Sequence, residues 1–222
     1  MRRGDRVLSS DELRAYLQAL GDDLPDLALQ LALLAGGQRM VQLLRAKVSD
    51  YDPDTQTLRL WDGKGKRTAA REHLLPLAPN AAALAAGLVE RARRREAERA
   101  KAEDRAANMA GLWLFSTHGK VAMTATTPGD RVAEISASMG DEAFDLRDIR
   151  RTVETMLAAM GISKDIRAQL LSHGISGVQS AHYDRHAYID EKRAALVAWE
   201  ARLEAIRTGE STPANVVQLR TA

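Results

Sequence analysis

Tyr183 sits in Ser180-Ala181-His182-Tyr183-Asp184-Arg185, downstream of Leu170-Leu171-Ser172-His173-Gly174 and of the basic cluster Arg147-Asp148-Ile149-Arg150-Arg151-Thr152. A phenol, with a pKa of about 10, is a poor nucleophile at neutral pH. Arginines and a histidine that gather a phosphodiester beside it can stabilise the negative charge of the transition state. Arginine suits that task because its planar fork binds phosphate oxygens in pairs and keeps its charge. A tyrosine in such surroundings could attack DNA.

Other residues could complete the set. Arg39 follows the helix-breaking pair Gly36-Gly37, from which its side chain could emerge beside an otherwise apolar helix pair. Arg147 and Arg150, three residues apart, would share one helix face. Lys64 lies in Gly63-Lys64-Gly65-Lys66, a glycine-flanked hairpin tip with reach enough to protonate a leaving oxygen. His173 precedes Gly174 at a helix end, where an imidazole can donate to phosphate. Each also has a plain reading: a solvated arginine, a polar turn lysine, a helix-capping histidine, or half-buried packing for Tyr183 or Tyr188.

The elements that must position these groups are mostly helical. Ser9-Ser10-Asp11-Glu12 reads as a capping box opening a helix to about Leu20. Asp23 to Leu34 continues as an apolar helix, Gly36-Gly37 breaks it, and Gln38 to Arg45 resumes helical spacing. Three short strands follow at Lys47–Tyr51, Thr57–Trp61 and Arg71–Leu77, with a turn at Asp52-Pro53-Asp54. From Asn80 the chain is helical into the charged run Val89–Asn108, which reads as a solvated helix laced with ion pairs. A loop entered through Trp113-Leu114-Phe115 runs to Pro128-Gly129. Helices are then expected over Asp130–Met139, Asp145–Met160, Ser163–Ser172, Gly177–Tyr188 and Asp190–Ile206, before a polar tail. The fold class is therefore mainly α with a small antiparallel three-stranded β-sheet.

Composition sets bounds. The 222 residues suit one domain, or one and a half, with a real core, and 45% apolar with 28% charged residues are ordinary globular values. A formal net charge of +2 permits nucleic-acid binding where the arginines cluster, without requiring it. The absence of cysteine excludes disulfides, thiol catalysis and cysteine-ligated metal. His182 and His186 would align on a helix, but they lack carboxylate support beyond Asp184 and Asp190; no metal site or cofactor is expected. No apolar run is long enough to span a bilayer and no signal peptide opens the chain, which points to a cytoplasmic protein.

Taken in order, these segments resemble the catalytic domain of the tyrosine recombinase (phage integrase) family. Leu31-Ala32-Leu33-Leu34-Ala35-Gly36-Gly37-Gln38-Arg39-Met40-Val41-Gln42-Leu43-Leu44 is similar to its first-arginine box, and the strands ending His73-Leu74-Leu75-Pro76-Leu77 to its β hairpin and exit. Asp148-Ile149-Arg150-Arg151-Thr152 resembles its H-D-L-R-R-T motif, and Leu170-Leu171-Ser172-His173 its L-L-G-H. Ala181-His182-Tyr183-Asp184-Arg185, followed by Tyr188-Ile189-Asp190-Glu191-Lys192-Arg193 and Trp199, is most similar to the prophage and genomic-island branch. The likeness runs from about Leu8 to Leu203.

The resemblance implies roles. Arg39 and Arg150 would clamp the non-bridging oxygens of the scissile phosphate, His173 would hydrogen-bond them, and Tyr183 would form a 3′-phosphotyrosyl link. Lys64 would protonate the 5′-hydroxyl leaving group, with Lys66 the alternative; Lys66 and Arg151 would otherwise contact DNA. Two positions depart from the family pattern. Gln42 stands where Glu is common and can still orient a neighbour by hydrogen bonding. Arg147 stands where His or Lys is common; it can bind phosphate but is a poor proton donor.

The implied activity is site-specific recombination that integrates or excises a mobile element. The implied partners are double-stranded DNA at attachment sites, further copies in a homotetramer on that DNA, and a directionality factor. Residues 1–207 would form the catalytic domain and 208–222 the polar tail, with the usual N-terminal core-binding and arm-binding domains absent. Two alternatives keep the same residues: a type IB topoisomerase-like nicking–closing enzyme, and a catalytically impaired DNA-binding protein of the same fold. A purely structural helical module would not bind DNA at all. The apolar set Leu196, Val197, Trp199 and Leu203 could dock the last helix against a neighbouring protomer or pack within its own subunit.

Overall fold

The computed structural model describes residues 6–63, 71–140, 142–172 and 188–210. The elements are α1 (Ser10–Ala19), α2 (Leu24–Leu34), α3 (Met40–Leu43), β1 (Tyr51–Asp52), β2 (Thr57–Asp62), β3 (Arg71–Pro76), α4 (Pro79–Ala102), α5 (Thr126–Met139), α6 (Leu146–Ala159), α7 (Lys164–Leu171) and α8 (Ile189–Thr208). The expected mainly helical architecture with an antiparallel sheet of order β1-β2-β3 is what forms.

α1 begins at the capping box: Ser9 Oγ accepts from the Glu12 N–H, and Glu12 accepts from the Ser9 N–H at 2.8 Å. α2 is the central helix. Leu24, Ala28, Leu29, Leu31, Ala32 and Leu33 are all buried, so nearly its whole circumference is apolar, and α4, α5, α6 and α8 pack around it. Even its one buried acid, Asp26, is satisfied, taking a two-pronged bond from Arg131 of α5 at 2.7 and 3.1 Å.

On β2, Leu58, Leu60 and Asp62 face inward while Arg59 and Trp61 are exposed. The register sets Leu58 opposite Leu75, Leu60 opposite His73, and Asp62 opposite Arg71. The period-2 alternation thus carries one acid and one histidine on the buried face of an otherwise aliphatic sheet.

Several boundaries differ from expectation. The strand expected over Lys47–Tyr51 is instead a short 3₁₀ turn at Val48–Asp50 leading into β1. The preceding residues pair with the chain after α4, through Val48 N–H to Leu112 O (2.8 Å) and Leu114 N–H to Ala46 O (3.0 Å). Their extended pattern has a partner distant in sequence. α5 starts at Thr126 and takes in Pro128-Gly129, read above as the loop's end; a first turn needs no N–H from proline. α4 stops at Ala102 because Asp104 adopts a left-handed φ of 48° and Arg105 folds back onto Glu96. The helix expected over Gly177–Tyr188 lies outside the described residues except for Tyr188.

α8 closes the core. Leu196, Trp199, Leu203 and Ile206 are buried, Trp199 Nε1 donates to Leu33 O at 2.8 Å, and only Val197 of the apolar set is exposed. Leu196, Trp199 and Leu203 therefore pack within their own subunit. Glu200 of the same helix accepts from the backbone N–H groups of Asn80 and Ala81 (3.0 and 2.8 Å), capping α4 from 120 residues away.

Candidate active site

Two glycines set up the first wall of the site. Gly36 and Gly37 end α2 with φ of 80° and 79°, and the Gly37 N–H returns to Ala32 O at 2.8 Å. A Cβ on Gly37 would lie 3.2 Å from Val153 Cβ and 3.5 Å from Arg150 Cα, so this turn runs directly against α6. Arg39 follows as the N-cap of α3 in extended conformation.

The opposite wall is the start of α6. Asp145 caps the helix, its carboxylate accepting from the Arg147 and Asp148 N–H groups, while Asp148 returns a bond from the Asp145 N–H. Ile149, Val153 and Leu157 face the core. Thr152, fully buried, takes the Leu8 N–H on its hydroxyl at 2.8 Å, and Asp148 accepts from the Arg6 N–H at 3.2 Å. The non-arginine members of this motif therefore pin Arg6 and Leu8 to α6. Arg147 and Arg150 are left for the cleft.

Arg39, Arg147 and Arg150 line one cleft of about 600 Å³, with Gly37 and Gln38 on one side and Leu146 and Ile149 on the other. Arg150 is fixed by backbone carbonyls, Nη1 donating to Gly37 O at 2.6 Å and Nη2 to Leu171 O at 3.0 Å. Burial, then repulsion from Arg39, lowers its pKa to about 10, which leaves it charged at neutral pH. Arg39 Nη1 lies 3.6 Å from Asp62 Oδ2. That nitrogen is buried and makes no hydrogen bond among the described residues. Its charge on that side is met by the Asp62 ion pair, and in a cleft of three arginines the fitting ligand is an oxyanion.

Asp62 escaped the sequence reading. It accepts from Ser172 Oγ at 3.3 Å, so one carboxylate touches both the first arginine and the residue before His173. The available signal was an acid in phase with Leu58 and Leu60. Ser172 itself takes the left-handed conformation that ends α7, with φ of 48°. Glycine accepts that conformation without strain, which is the physical sense of the L-L-G-H pattern; serine pays roughly 1 kcal/mol or more and recovers a hydrogen bond to Asp62.

Gln42 differs from its expected part. It is buried, and neither amide atom has a hydrogen-bond partner among the described residues, so it orients no neighbour here. Arg151 pairs with Asp148 at 3.4 Å and does not line the cleft. Lys64, Lys66, His173 and Tyr183 lie outside the described residues, as do His182 and His186. Two of the four tyrosines are held away from such chemistry, one by burial and one by a hydrogen bond. Tyr16, in the cleft floor, is fully buried against Phe144, and burial together with Asp26 raises its pKa, so it stays protonated. Tyr51 donates its hydroxyl to Ala82 O at 3.2 Å.

The charged run on α4 proves more organised than a solvated helix. Glu96 is buried and accepts from Arg99, from Arg105 at 2.7 Å and from the Asn108 N–H at 2.8 Å. Arg95 and Arg99 donate to the carbonyls of Thr117 and His118. These arginines hold the segment after α4. Among the described residues, no helix is long and apolar enough to cross a membrane.

The phage integrase family model matches residues 6–188. Among solved structures, the chain is similar to XerA recombinase (19% identity, TM-score 0.58, covering 84% of this chain and 64% of that one). It is similar also to the integrase of mycobacterium phage Brujita (16% identity, TM-score 0.60, covering 93% and 64%). A third likeness is to XerH site-specific recombinase bound to its difH substrate before cleavage (17% identity, TM-score 0.53, covering 78% and 48%). The chain thus spans between 48% and 64% of the length of these structures. No curated protein matches the sequence.

Proposed function

Because this chain belongs to the phage integrase family, we propose that it is a site-specific DNA recombinase that cleaves and rejoins strands through Tyr183, integrating or excising a mobile element. The observation that carries the reading is the shared cleft of Arg39, Arg147 and Arg150, in which Arg150 is bonded to the turn that precedes Arg39. An arginine trio of this kind suits a phosphodiester whose equatorial oxygens gain charge during displacement.

In the proposed step the Tyr183 oxygen attacks phosphorus and its proton passes to solvent. The bond from phosphorus to the 5′ oxygen breaks, and Lys64 (or Lys66) gives that oxygen a proton. Arg39 and Arg150 hold the non-bridging oxygens, with His173 adding a hydrogen bond and Arg147 adding charge but no proton. The product is a 3′-phosphotyrosyl link and a free 5′-hydroxyl. One phosphodiester is exchanged for another, so attack by a 5′-hydroxyl of a second strand reverses the step without an external energy source. Double-stranded attachment-site DNA, a tetramer on that DNA and a directionality factor are the partners this reading entails, in a cytoplasmic setting.

Strand exchange between two labelled duplexes, recovered by covalent capture from a randomised pool, tests the proposal. Recombinant products support it. Relaxation of supercoiled plasmid without any exchange assigns the chain to nicking–closing chemistry instead. Binding without either product leaves the fold as a DNA-binding scaffold.

A further inference from the structure

The C-terminus of α7 leads directly into His173, and helix ends expose carbonyls that the helix itself cannot satisfy. Here they are claimed by side chains from three other parts of the fold. Leu170 O accepts from Gln38 Nε2 at 2.9 Å and pairs with His73 Nε2 at 3.1 Å, while Leu171 O accepts from Arg150 at 3.0 Å. Gln38 also donates to Ala35 O at 2.8 Å, which ties the same helix end to the turn before Arg39.

His73 is the titratable member of this group that the chemistry above leaves unused. It is only 4% exposed, on the inward face of β3 opposite Leu60. A carbonyl oxygen can only accept, so the ring carries its proton on Nε2. Burial, with Lys192 and Arg71 close by, lowers the imidazole pKa to about 4, so the ring is neutral at physiological pH. A neutral donor that stays neutral is a fixed strut rather than a proton shuttle.

The next residue on β3 completes the arrangement. Lys192 of α8, 3% exposed, donates from Nζ to Leu74 O at 2.6 Å. Residue 73 thus holds the end of α7, and residue 74 holds the beginning of α8. Those two ends, Ser172 and Tyr188, bracket the stretch of sequence that contains both His173 and Tyr183.

We infer that His73 is a positioning residue for strand cleavage, fixing through Leu170 O the point from which the His173–Tyr183 segment departs. This rests on the recombinase reading. A displacement of about 1 Å in a reacting group can cost on the order of a hundredfold in rate, so the effect belongs in the chemical step and not in DNA affinity.

The test compares wild type with His73→Leu, which removes the donor, and His73→Gln, which can restore an N–H. Three readouts are taken: the single-turnover rate of covalent adduct formation on a captured nicked duplex, the Kd for that duplex, and amide hydrogen exchange over residues 170–190. Expected for His73→Leu are a rate loss of about ten- to a hundredfold, an unchanged Kd, and faster exchange confined to the α7 end and the following segment. His73→Gln should recover most of the rate and protection. A duplex with sulfur as the 5′ bridging atom, whose thiolate leaves without a proton, should not rescue His73→Leu.

Rescue by sulfur would overturn the inference, because the defect would then lie in leaving-group protonation. So would wild-type rate in His73→Leu, or a folded His73→Gln as slow as His73→Leu. Failure of wild type to form any adduct contradicts the recombinase reading itself; the exchange comparison still decides the role of His73, since unchanged exchange at the α7 end rules the strut out.

Discussion

Arg150 donates to the carbonyl of Gly37 at 2.6 Å, so the second arginine of the cleft is bonded to the turn that carries the first. The two cationic side chains repel each other, and burial adds to the cost of charging Arg150. Bonding Arg150 to the turn that precedes Arg39 keeps the two together in one cleft despite that repulsion. Preorganised charge of this kind costs no rearrangement during the reaction.

Gly37→Ala tests that linkage. A Cβ at φ of 79° is strained by roughly 1–2 kcal/mol, and it would press on Val153 at 3.2 Å. The urea midpoint should fall, and adduct formation should slow by more than the fraction of unfolded protein accounts for. Unchanged stability and rate would mean that the turn does not set the arginine spacing.

Asp62→Asn separates binding from chemistry. The carboxylate lies 3.6 Å from Arg39 Nη1 and also holds Ser172. If the cleft takes a DNA phosphate as proposed, a negative charge beside it would weaken binding, while its ion pair with Arg39 would aim the guanidinium. The variant should bind a duplex more tightly, yet form adduct about tenfold or more slowly. Titration and single-turnover kinetics on the same duplex decide; weaker binding with an unchanged rate would remove Asp62 from the site.

What was legible in the sequence was local. The Ser9 capping box, the Gly36-Gly37 break and the three-residue spacing of Arg147 and Arg150 all act between neighbours along the chain, and all stand in the structure. Asp62, Glu96, Glu200 and Gln38 were not read as important. Asp62 meets Ser172 from 110 residues away, Glu200 caps Ala81 from 119, and Gln38 meets Leu170 from 132. No periodicity reports such partners. The strand expected at Lys47–Tyr51 failed for the same reason, since its backbone pairs with Leu112 and Leu114. Gln42 could orient a neighbour by analogy with the family's Glu, yet its buried amide has no hydrogen-bond partner among the described residues.

The burial of His73 gives stability a defined pH dependence. Its pKa falls from 6.5 to about 4 on folding, so the unfolded chain takes up a proton in that interval and the folded chain does not. The stabilisation is complete above pH 6.5 and is lost as pH falls towards 4, by an amount on the order of 3 kcal/mol. Denaturant midpoints at pH 7.0 and 4.5 should differ less in His73→Gln than in wild type. Equal differences would place the ring in contact with water.

Glu96→Gln addresses the segment after α4. Bonds from Arg105, then from the Asn108 N–H, lower the Glu96 carboxyl to about 2, and Arg105 depends on that carboxylate to fold back against α4. Without the charge, trypsin should cut faster after Arg105 and Lys120, while adduct formation stays near wild type. Digestion at the wild-type rate would show that Glu96 does not organise this segment.

The central claim is that Tyr183 becomes covalently joined to DNA. Burial keeps the Tyr16 hydroxyl protonated and Tyr51 donates its own to Ala82 O, which leaves Tyr183 and Tyr188 of the four tyrosines. The direct measurement traps the protein on a nicked duplex, digests the denatured adduct, and identifies the nucleotide-bearing peptide by mass spectrometry. The account predicts a 3′-phosphotyrosyl modification at Tyr183 and no adduct from Tyr183→Phe. Modification at Tyr188, an adduct that persists in Tyr183→Phe, or bound DNA with no adduct would contradict it.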